Sequence, residues 1–260
     1  MQVSIDITGL DAVKKAMAEM PKKAKYAAVK AMNTSMEWAA TSVRKEMKQV
    51  FDRPTPWVLN SLRIKYAKPS TMAAELAFKD INSATSSRTM VLPHVEAGKR
   101  HFKAFEARLN RIGLLPSGYN AVPGEGAKVD ANGNMSQGQI SQLLNVLGAY
   151  TESGFNKANL NTIKRLAKGN QKKNVYGFVY WVNPIGPKKA KHLQPGVYQR
   201  VTTAFGSSLK PVLIFVKLVN YKRRLDFYGI TRREVDKRFA SEFDKAFEAE
   251  KNRTAAAIKA

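Results

Sequence analysis

The sequence predicts an α+β fold, with an N-terminal strand and helices packed on a mostly antiparallel sheet, a mixed insertion and a long C-terminal helix. Two observations indicate this class. Short segments in which apolar and polar residues alternate, typical of half-buried strands, occur in both halves of the chain. Segments with a helical spacing of apolar residues lie between them and at the C-terminus. The 260 residues are enough for one large domain or for a core domain that carries an insertion.

The N-terminal part of the predicted core spans residues 1–81. Its first residues predict a strand whose apolar face is Val3, Ile5 and Ile7. A short amphipathic helix follows, and a second helix is predicted from Pro21 to about Val50. We expect the second helix to pack on the sheet rather than to form a dedicated subunit interface. Its apolar face carries mostly small side chains, namely Ala24, Ala28, Ala31, Met32, Ser35, Ala39 and Val43.

A β-hairpin is predicted to follow this helix. Two prolines, Pro54 and Pro56, end the helix because each lacks an N–H donor and disfavours helical geometry in the residue before it. Apolar residues then alternate in two short segments around a turn at 68–71. The two strands carry Leu62, Ile64 and Tyr66, and then Ala74, Leu76 and Phe78.

Residues 82–170 are predicted to form an insertion or arm. This stretch is polar and rich in glycine, with short helical pieces that include a helix from about Ser136 to Leu147. We expect the segment to lie outside the core sheet and to make contacts between subunits or with a neighbouring ring.

Residues 171–260 are predicted to complete the core. Three segments rich in Val, Tyr, Phe and Ile, at 175–182, 196–204 and 212–219, predict strands that close the core sheet. A long helix ends the chain, and Thr231 with Glu234 has the spacing of a capping box at its start. One apolar stripe recurs every four residues along this helix, and it must cover either the core or a partner: Val235, Phe239, Phe243 and Phe247.

The strongest compositional signal is a net charge of +24 that is unevenly distributed. Residues 153–225 contain no Asp or Glu but 15 Lys and Arg. A solvated basic face is one interpretation; the other, which we favour, is a surface that meets phosphates or an acidic protein. The basic residues that we expect to face DNA or a partner are Lys188, Lys189, Lys191, Arg200, Lys222, Arg223 and Arg224.

No catalytic, metal or cofactor motif stands out in the sequence. The three histidines, His94, His101 and His192, lack metal-ligand spacing, and we expect them on the surface or in loops. Ser42 and Lys45 match a Ser-x-x-Lys pattern without the later elements of an acylating site. The glycines around Glu125 lack the third glycine of a dinucleotide loop. We therefore expect no enzymatic activity, no metal and no cofactor.

The chain contains no cysteine, which excludes disulfides and thiolate chemistry and suits assembly in a reducing cytoplasm. No apolar run approaches the roughly 18 residues that a membrane span needs. The first nine residues alternate instead of forming a basic and then an apolar segment. We expect a soluble, unprocessed protein that does not enter membranes.

Three stretches together carry a resemblance to a known family. The first runs from Val91 to Glu106 (VLPHVEAGKRHFKAFE) and on through 113–116, 121–124 and 132–140. The second is 193–200 (LQPGVYQR), and the third runs from 210–216 (KPVLIFV) through 224–228 (RLDFY) to the final helix. Taken in this order, they resemble prophage and phage proteins related to the minor tail protein Z of lambda-like phages. The order of strand, helices, proline break and hairpin is similar to the wider group of tail-completion proteins.

The resemblance implies a structural protein of the virion that is assembled in the host cytoplasm and sits in the tail or neck. Such a protein joins the finished tail to the head connector as a ring of several copies around the DNA channel, and six copies is the number expected. Its implied partners are other copies of itself, tail terminator or tail tube proteins, head connector proteins and, without sequence specificity, the phage DNA. It implies no residue-level functional site.

Two other functions remain open. A non-virion basic protein could use the same lysines to bind nucleic acid in solution, although no helix-turn-helix, zinc finger or aromatic RNA platform is recognisable. A phage-encoded hydrolase would require a cleft with clustered polar groups.

Overall fold

The computed structural model describes residues 20–79, 87–150, 160–170, 176–186, 190, 192–203, 206–218 and 220–259. The predicted first strand and all but the last residue of the first predicted helix lie outside these residues. The described residues form an α+β fold with two antiparallel sheets, as the sequence predicted. The helices are α1 Pro21–Val50, α2 Pro56–Leu59, α3 Ser87–Glu96, α4 Ala104–Arg111, α5 Gln137–Val146, α6 Leu160–Lys168 and α7 Phe227–Lys259. The strands are β1 Leu62–Lys65, β2 Glu75–Phe78, β3 Tyr119–Pro123, β4 Phe178–Asn183, β5 Gly196–Thr203 and β6 Gly206–Lys217.

The chain divides into two compact units. Unit 1 comprises the described residues of Met1–Gly98 and Tyr221–Ala260, and unit 2 comprises those of Lys99–Asn220. In unit 1, the chain leaves at Gly98 and re-enters at Tyr221, and these two residues exchange backbone hydrogen bonds of 3.1 and 2.8 Å. Unit 2 is therefore an insertion whose two ends are adjacent, which is the usual arrangement for a segment inserted into a domain.

The core of unit 1 is built mainly from two long helices. α1 has the predicted bounds and begins with Pro21, whose missing N–H costs nothing in the first turn. Six of the seven residues predicted for its apolar face are buried, with Met32 half-buried. This face packs chiefly against α7, whereas we expected it to pack against a sheet. The reason is size: side chains as small as Ala31 let a second helix backbone approach closely.

The final helix, α7, begins one turn earlier than the sequence predicted. Its first residue is Phe227, so Thr231 lies inside the helix and is buried. The Thr231 hydroxyl donates to the Phe227 carbonyl at 2.7 Å, a bond within the helix, so the predicted capping box is wrong. The Asp226 carboxylate takes the capping role instead and accepts the Gly229 N–H at 3.2 Å.

The predicted hairpin is confirmed as the small sheet of unit 1. β1 and β2 pair antiparallel with Leu62 opposite Phe78, and the Lys68 carbonyl accepts N–H groups of the turn. Leu76 and Phe78 are buried with α3 residues in the same core as the helix pair.

Unit 2 contains a four-stranded antiparallel sheet in the order β3-β6-β5-β4. Its apolar face packs on α4 and α5 through Leu109, Leu143, Leu144, Val197 and Leu213. Ser136 caps α5 by accepting the Gln139 N–H at 3.4 Å, close to the predicted helix start.

The predicted domain boundaries require correction. The strands between 178 and 217 do not join the hairpin in one core sheet; they belong to unit 2. β3, which lies within the predicted insertion, pairs with β6 and forms one edge of that sheet. The insertion is thus 99–220 rather than 82–170. The sequence did not reveal this because alternation identifies a strand but not its neighbour.

Candidate nucleic-acid interface

The predicted basic site residues are divided between the two units. Lys188, Lys189 and Lys191 lie outside the described residues. Arg200 is exposed on β5 of unit 2, with Val179 opposite it on β4 and Leu209 opposite it on β6. Its guanidinium makes no ion pair with any described carboxylate and is exposed to solvent.

The other three predicted basic residues precede α7 in unit 1. Lys222, Arg223 and Arg224 are all exposed. However, the Arg223 guanidinium pairs with the Asp226 carboxylate, so this residue is less suited to bind DNA than predicted. The Arg224 backbone N–H donates to the His94 carbonyl at 2.8 Å, which fixes the start of this basic segment.

Asp226 is the acid that follows the basic segment 222–224. Partial burial opposes ionisation of its carboxyl, but hydrogen bonds from Arg233 and the Gly229 N–H and the charges of Arg223 and Arg233 outweigh burial and lower its pKa. The Arg233 guanidinium lies 3.1 Å from the carboxylate. Asp226 therefore remains ionised and neutralises part of the surface that the sequence predicted to be purely cationic.

Unit 2 carries further exposed cations that share one property: none forms an ion pair within the described part of the chain. Three of them lie along α6, which has no acidic residue in its first turn. Two more lie on β6, one near the middle and one at its end. The five residues are Lys164, Arg165, Lys168, Lys210 and Lys217.

A buried ion pair in unit 2 was not predicted from the sequence. Glu106 is fully buried at the start of α4, and both its oxygens accept hydrogen bonds of 2.6 Å from the Arg100 guanidinium. The carboxylate also accepts the Lys103 N–H at 2.7 Å and the Ala121 N–H at 2.8 Å. Four donors satisfy this carboxylate, so it ties α4 to β3 rather than serving as a catalytic acid.

The Lys103 side chain lies beside this ion pair. Its burial and the charge of Arg100 lower the pKa of its amine, and the Glu106 carboxylate opposes this effect in part. The only sequence signal was a Glu three residues after Lys103, the second half of a capping box without its usual Ser or Thr.

We predicted that His94 lies on the surface or in a loop, and this prediction is wrong. Its ring is half-buried in unit 1 and lies edge-on to Phe51 and Tyr221, with ring centroids 5.1 and 4.9 Å away. Nδ1 is buried and has no hydrogen-bond partner among the described residues. Burial first and then the charge of Arg224 lower the pKa of His94. His101 and His192 are exposed, as predicted.

The apolar stripe of α7 is part of the core. Val235, Phe239 and Phe243 are buried, and Phe247 is half-buried against the same cluster. Of the two roles that the sequence left open, core packing is therefore the one observed, and the stripe is not exposed to a partner.

Within the described residues, no three His, Asp or Glu side chains are grouped as metal ligands. In the same part of the chain, no helix combines the length and the apolar character that crossing a membrane requires. Comparisons with family models, curated proteins and solved structures find no match to this chain.

Proposed function

We propose that this protein is a structural component of a tailed-phage virion, a minor tail or tail-completion protein that forms a ring around the DNA channel at the head–tail junction. The resemblance of its three sequence stretches to tail proteins suggests this role. The charge of unit 2 is the observation that carries it.

Unit 2 is strongly cationic. Residues 99–220 contain 18 Lys and Arg but only four Asp and Glu. One of the four acids, Glu106, is buried and already paired with Arg100. The exposed cations of α6, β5 and β6 thus face solvent without a described carboxylate beside them. Such a surface attracts a polyanion, and DNA is the polyanion that a tail channel contains.

The way in which these cations are presented suits contact without sequence specificity. They lie on a short helix and on strands, and they need only reach phosphates. A wall that contacts phosphates positions the duplex without reading its bases, so DNA of any sequence can pass. A ring of copies would surround the duplex with such contacts, and six copies is our expectation.

Deletion of the gene in a phage that carries it tests the proposal. We expect DNA-filled heads and complete tails, both visible by electron microscopy, but few joined particles and few infectious ones. Supplying the protein from a plasmid should restore joining, which controls for effects on neighbouring genes.

A normal yield of joined, infectious particles without the protein would rule out the tail-completion role. If DNA binding by the purified chain persisted in that case, a non-virion nucleic-acid-binding protein would become the better description.

A further inference from the structure

The two edges of the unit 2 sheet differ in how their backbone N–H groups are used. β3 and β4 are the edge strands. In an antiparallel sheet, every second residue of an edge strand points its N–H and carbonyl away from the sheet. These outward groups can pair with another chain unless they are blocked.

On β3 the outward residues can be identified from one hydrogen bond. The Gly124 N–H donates to the Val212 carbonyl on β6 at 3.0 Å, so even-numbered residues of this strand face β6. The outward-facing residues are therefore Tyr119, Ala121 and Pro123.

None of these three positions has a free donor. The Tyr119 N–H donates to the Pro116 carbonyl at 3.2 Å, and the Ala121 N–H donates to the Glu106 carboxylate at 2.8 Å. Pro123 has no N–H at all. The β3 edge is closed to strand addition.

The β4 edge has the opposite character. The Thr202 N–H of β5 donates to the Gly177 carbonyl at 3.3 Å, so odd-numbered residues of β4 face β5. The outward-facing residues are therefore Phe178, Tyr180 and Val182. Within the described chain, the N–H groups of these three residues have no hydrogen-bond acceptor.

The composition of β4 does not protect this edge. Its six residues, Phe-Val-Tyr-Trp-Val-Asn, include no charged residue and no proline, the usual means of blocking an edge strand. Val179 on this strand is 40% exposed although it is apolar. An uncharged edge with free donors is a site for addition of a strand from another molecule.

The charges around β4 indicate which molecule. α6 contacts β4, and its last turn abuts Gly177 so closely that a side chain there would collide with the Ala167 carbonyl. The exposed cations of α6 therefore lie near the start of β4. β4 itself carries no acidic residue, so the same strand of a second copy would not complement the cations of α6.

We propose that the β4 edge binds an extended segment of a partner protein that has acidic residues at the end beside α6. The segment adds a fifth strand through the N–H groups of Phe178, Tyr180 and Val182, and its acidic end meets the exposed cations of α6. This site does not depend on DNA binding, so it can stand or fall separately from the proposed tail function.

The test uses the full chain and a synthetic peptide of alternating valine and threonine with paired glutamates at both ends. We expect this peptide to bind about tenfold more tightly than the same peptide with lysines in place of the glutamates, a difference of about 1.4 kcal/mol. Amide hydrogen exchange should slow at Phe178, Tyr180 and Val182 when the peptide binds. Val179 and Trp181 should change little, because their amides already face β5.

Two variants isolate the main-chain contribution. Val182→Pro removes one outward N–H and should weaken peptide binding at least tenfold, whereas Val182→Thr keeps the N–H and a similar shape and should bind like the parent. Absence of peptide binding, unchanged exchange at the three amides, or equal binding by both variants would overturn the proposal. Self-association that Val182→Pro abolishes would assign the edge to a second copy and would also overturn it. The exchange experiment on the parent chain decides the matter even if Val182→Pro does not fold.

Discussion

His94 shows how a single residue can make the stability of unit 1 depend on pH. The neutral ring fits between Phe51 and Tyr221, whereas the protonated ring would place a charge next to Arg224, with no acceptor for the buried Nδ1 among the described residues. The pKa of His94 is lower in the folded chain than the value of about 6.5 expected when unfolded. The stability due to the neutral ring is therefore complete above that value and is lost as pH falls through the folded pKa.

We predict that replacing His94 by Phe flattens this pH dependence. Phe keeps an aromatic ring between the two neighbours but cannot be protonated. In urea unfolding at pH 7.5 and pH 5, the parent should lose stability at the lower pH, and His94→Phe should lose less. His101→Gln, a change at an exposed histidine, should behave like the parent. An equal loss in all three proteins would assign the pH effect to other groups.

At the scale of elements, the pairing of α1 with α7 determines the core of unit 1. The aromatic residues of α7 lie on a helix whose partner presents mostly alanines, so large and small side chains alternate across the contact. The rings of Phe239, Phe243 and Phe247 stack along one side of α7, with centroids 6.4 and 5.7 Å apart. Packing of this kind depends on each ring filling its own space.

We predict a graded loss of stability when the rings of α7 are truncated. Phe243 is 1% exposed, so Phe243→Ala should cost about 3–5 kcal/mol of unfolding free energy, as expected when a large core side chain is removed. Phe247→Ala, at a half-buried ring one turn later, should cost clearly less. Chemical denaturation measures both. If Phe243→Ala left stability unchanged and impaired only assembly, the stripe would serve a partner instead of the core.

Which elements could be predicted depended on the range of their signals. α1, the hairpin and α5 follow from local periodicity and from prolines or caps, so their bounds were predicted closely. The start of α7 was predicted wrongly. Thr231 and Glu234 have the spacing of a cap, but Asp226 is the residue that accepts an N–H of the first turn. The sequence did not show that β4, β5 and β6 belong to the inserted unit. This depends on the pairing of β6 with β3, which lies far away in the sequence and leaves no local pattern.

The candidate interface shows the same limit. A run without acids identified Arg200 as an exposed cation, and the structure agrees. The same run could not show that Arg223 pairs with Asp226 just beyond its end. The sequence also carried no sign that Glu106 is buried. Its burial depends on the Arg100 guanidinium and on the N–H of Ala121, which lies 15 residues away on β3.

For the whole molecule, charge is concentrated in one unit and locally balanced in part of the other. On α7 of unit 1, Arg232, Lys245 and Arg253 each lie near an acid on the same helix, with closest N–O distances of 3.7, 3.1 and 3.3 Å. In unit 2, the exposed cations of α6, Arg200, Lys210 and Lys217 form no ion pair within the described residues. DNA should therefore be contacted by unit 2 rather than by α7, although both surfaces are rich in Lys and Arg.

Two triple variants that remove equal charge test whether the stretch of sequence without acidic residues, 153–225, contacts DNA. We predict that replacing Lys188, Lys189 and Lys191 together by Gln reduces DNA affinity equally for all sequences. The slope of log affinity against log salt should flatten by about 0.9 for each phosphate that is no longer neutralised, because fewer counterions are released on binding. Replacing Arg232, Lys245 and Arg253 by Gln removes the same net charge, but from residues with acidic neighbours, and should leave the slope nearly unchanged.

Fluorescence titrations over a range of salt concentrations measure both slopes. If both triple variants flatten the slope alike, binding depends only on overall charge. If the unit 2 variant keeps its slope but fails to assemble, its lysines face a protein and not DNA.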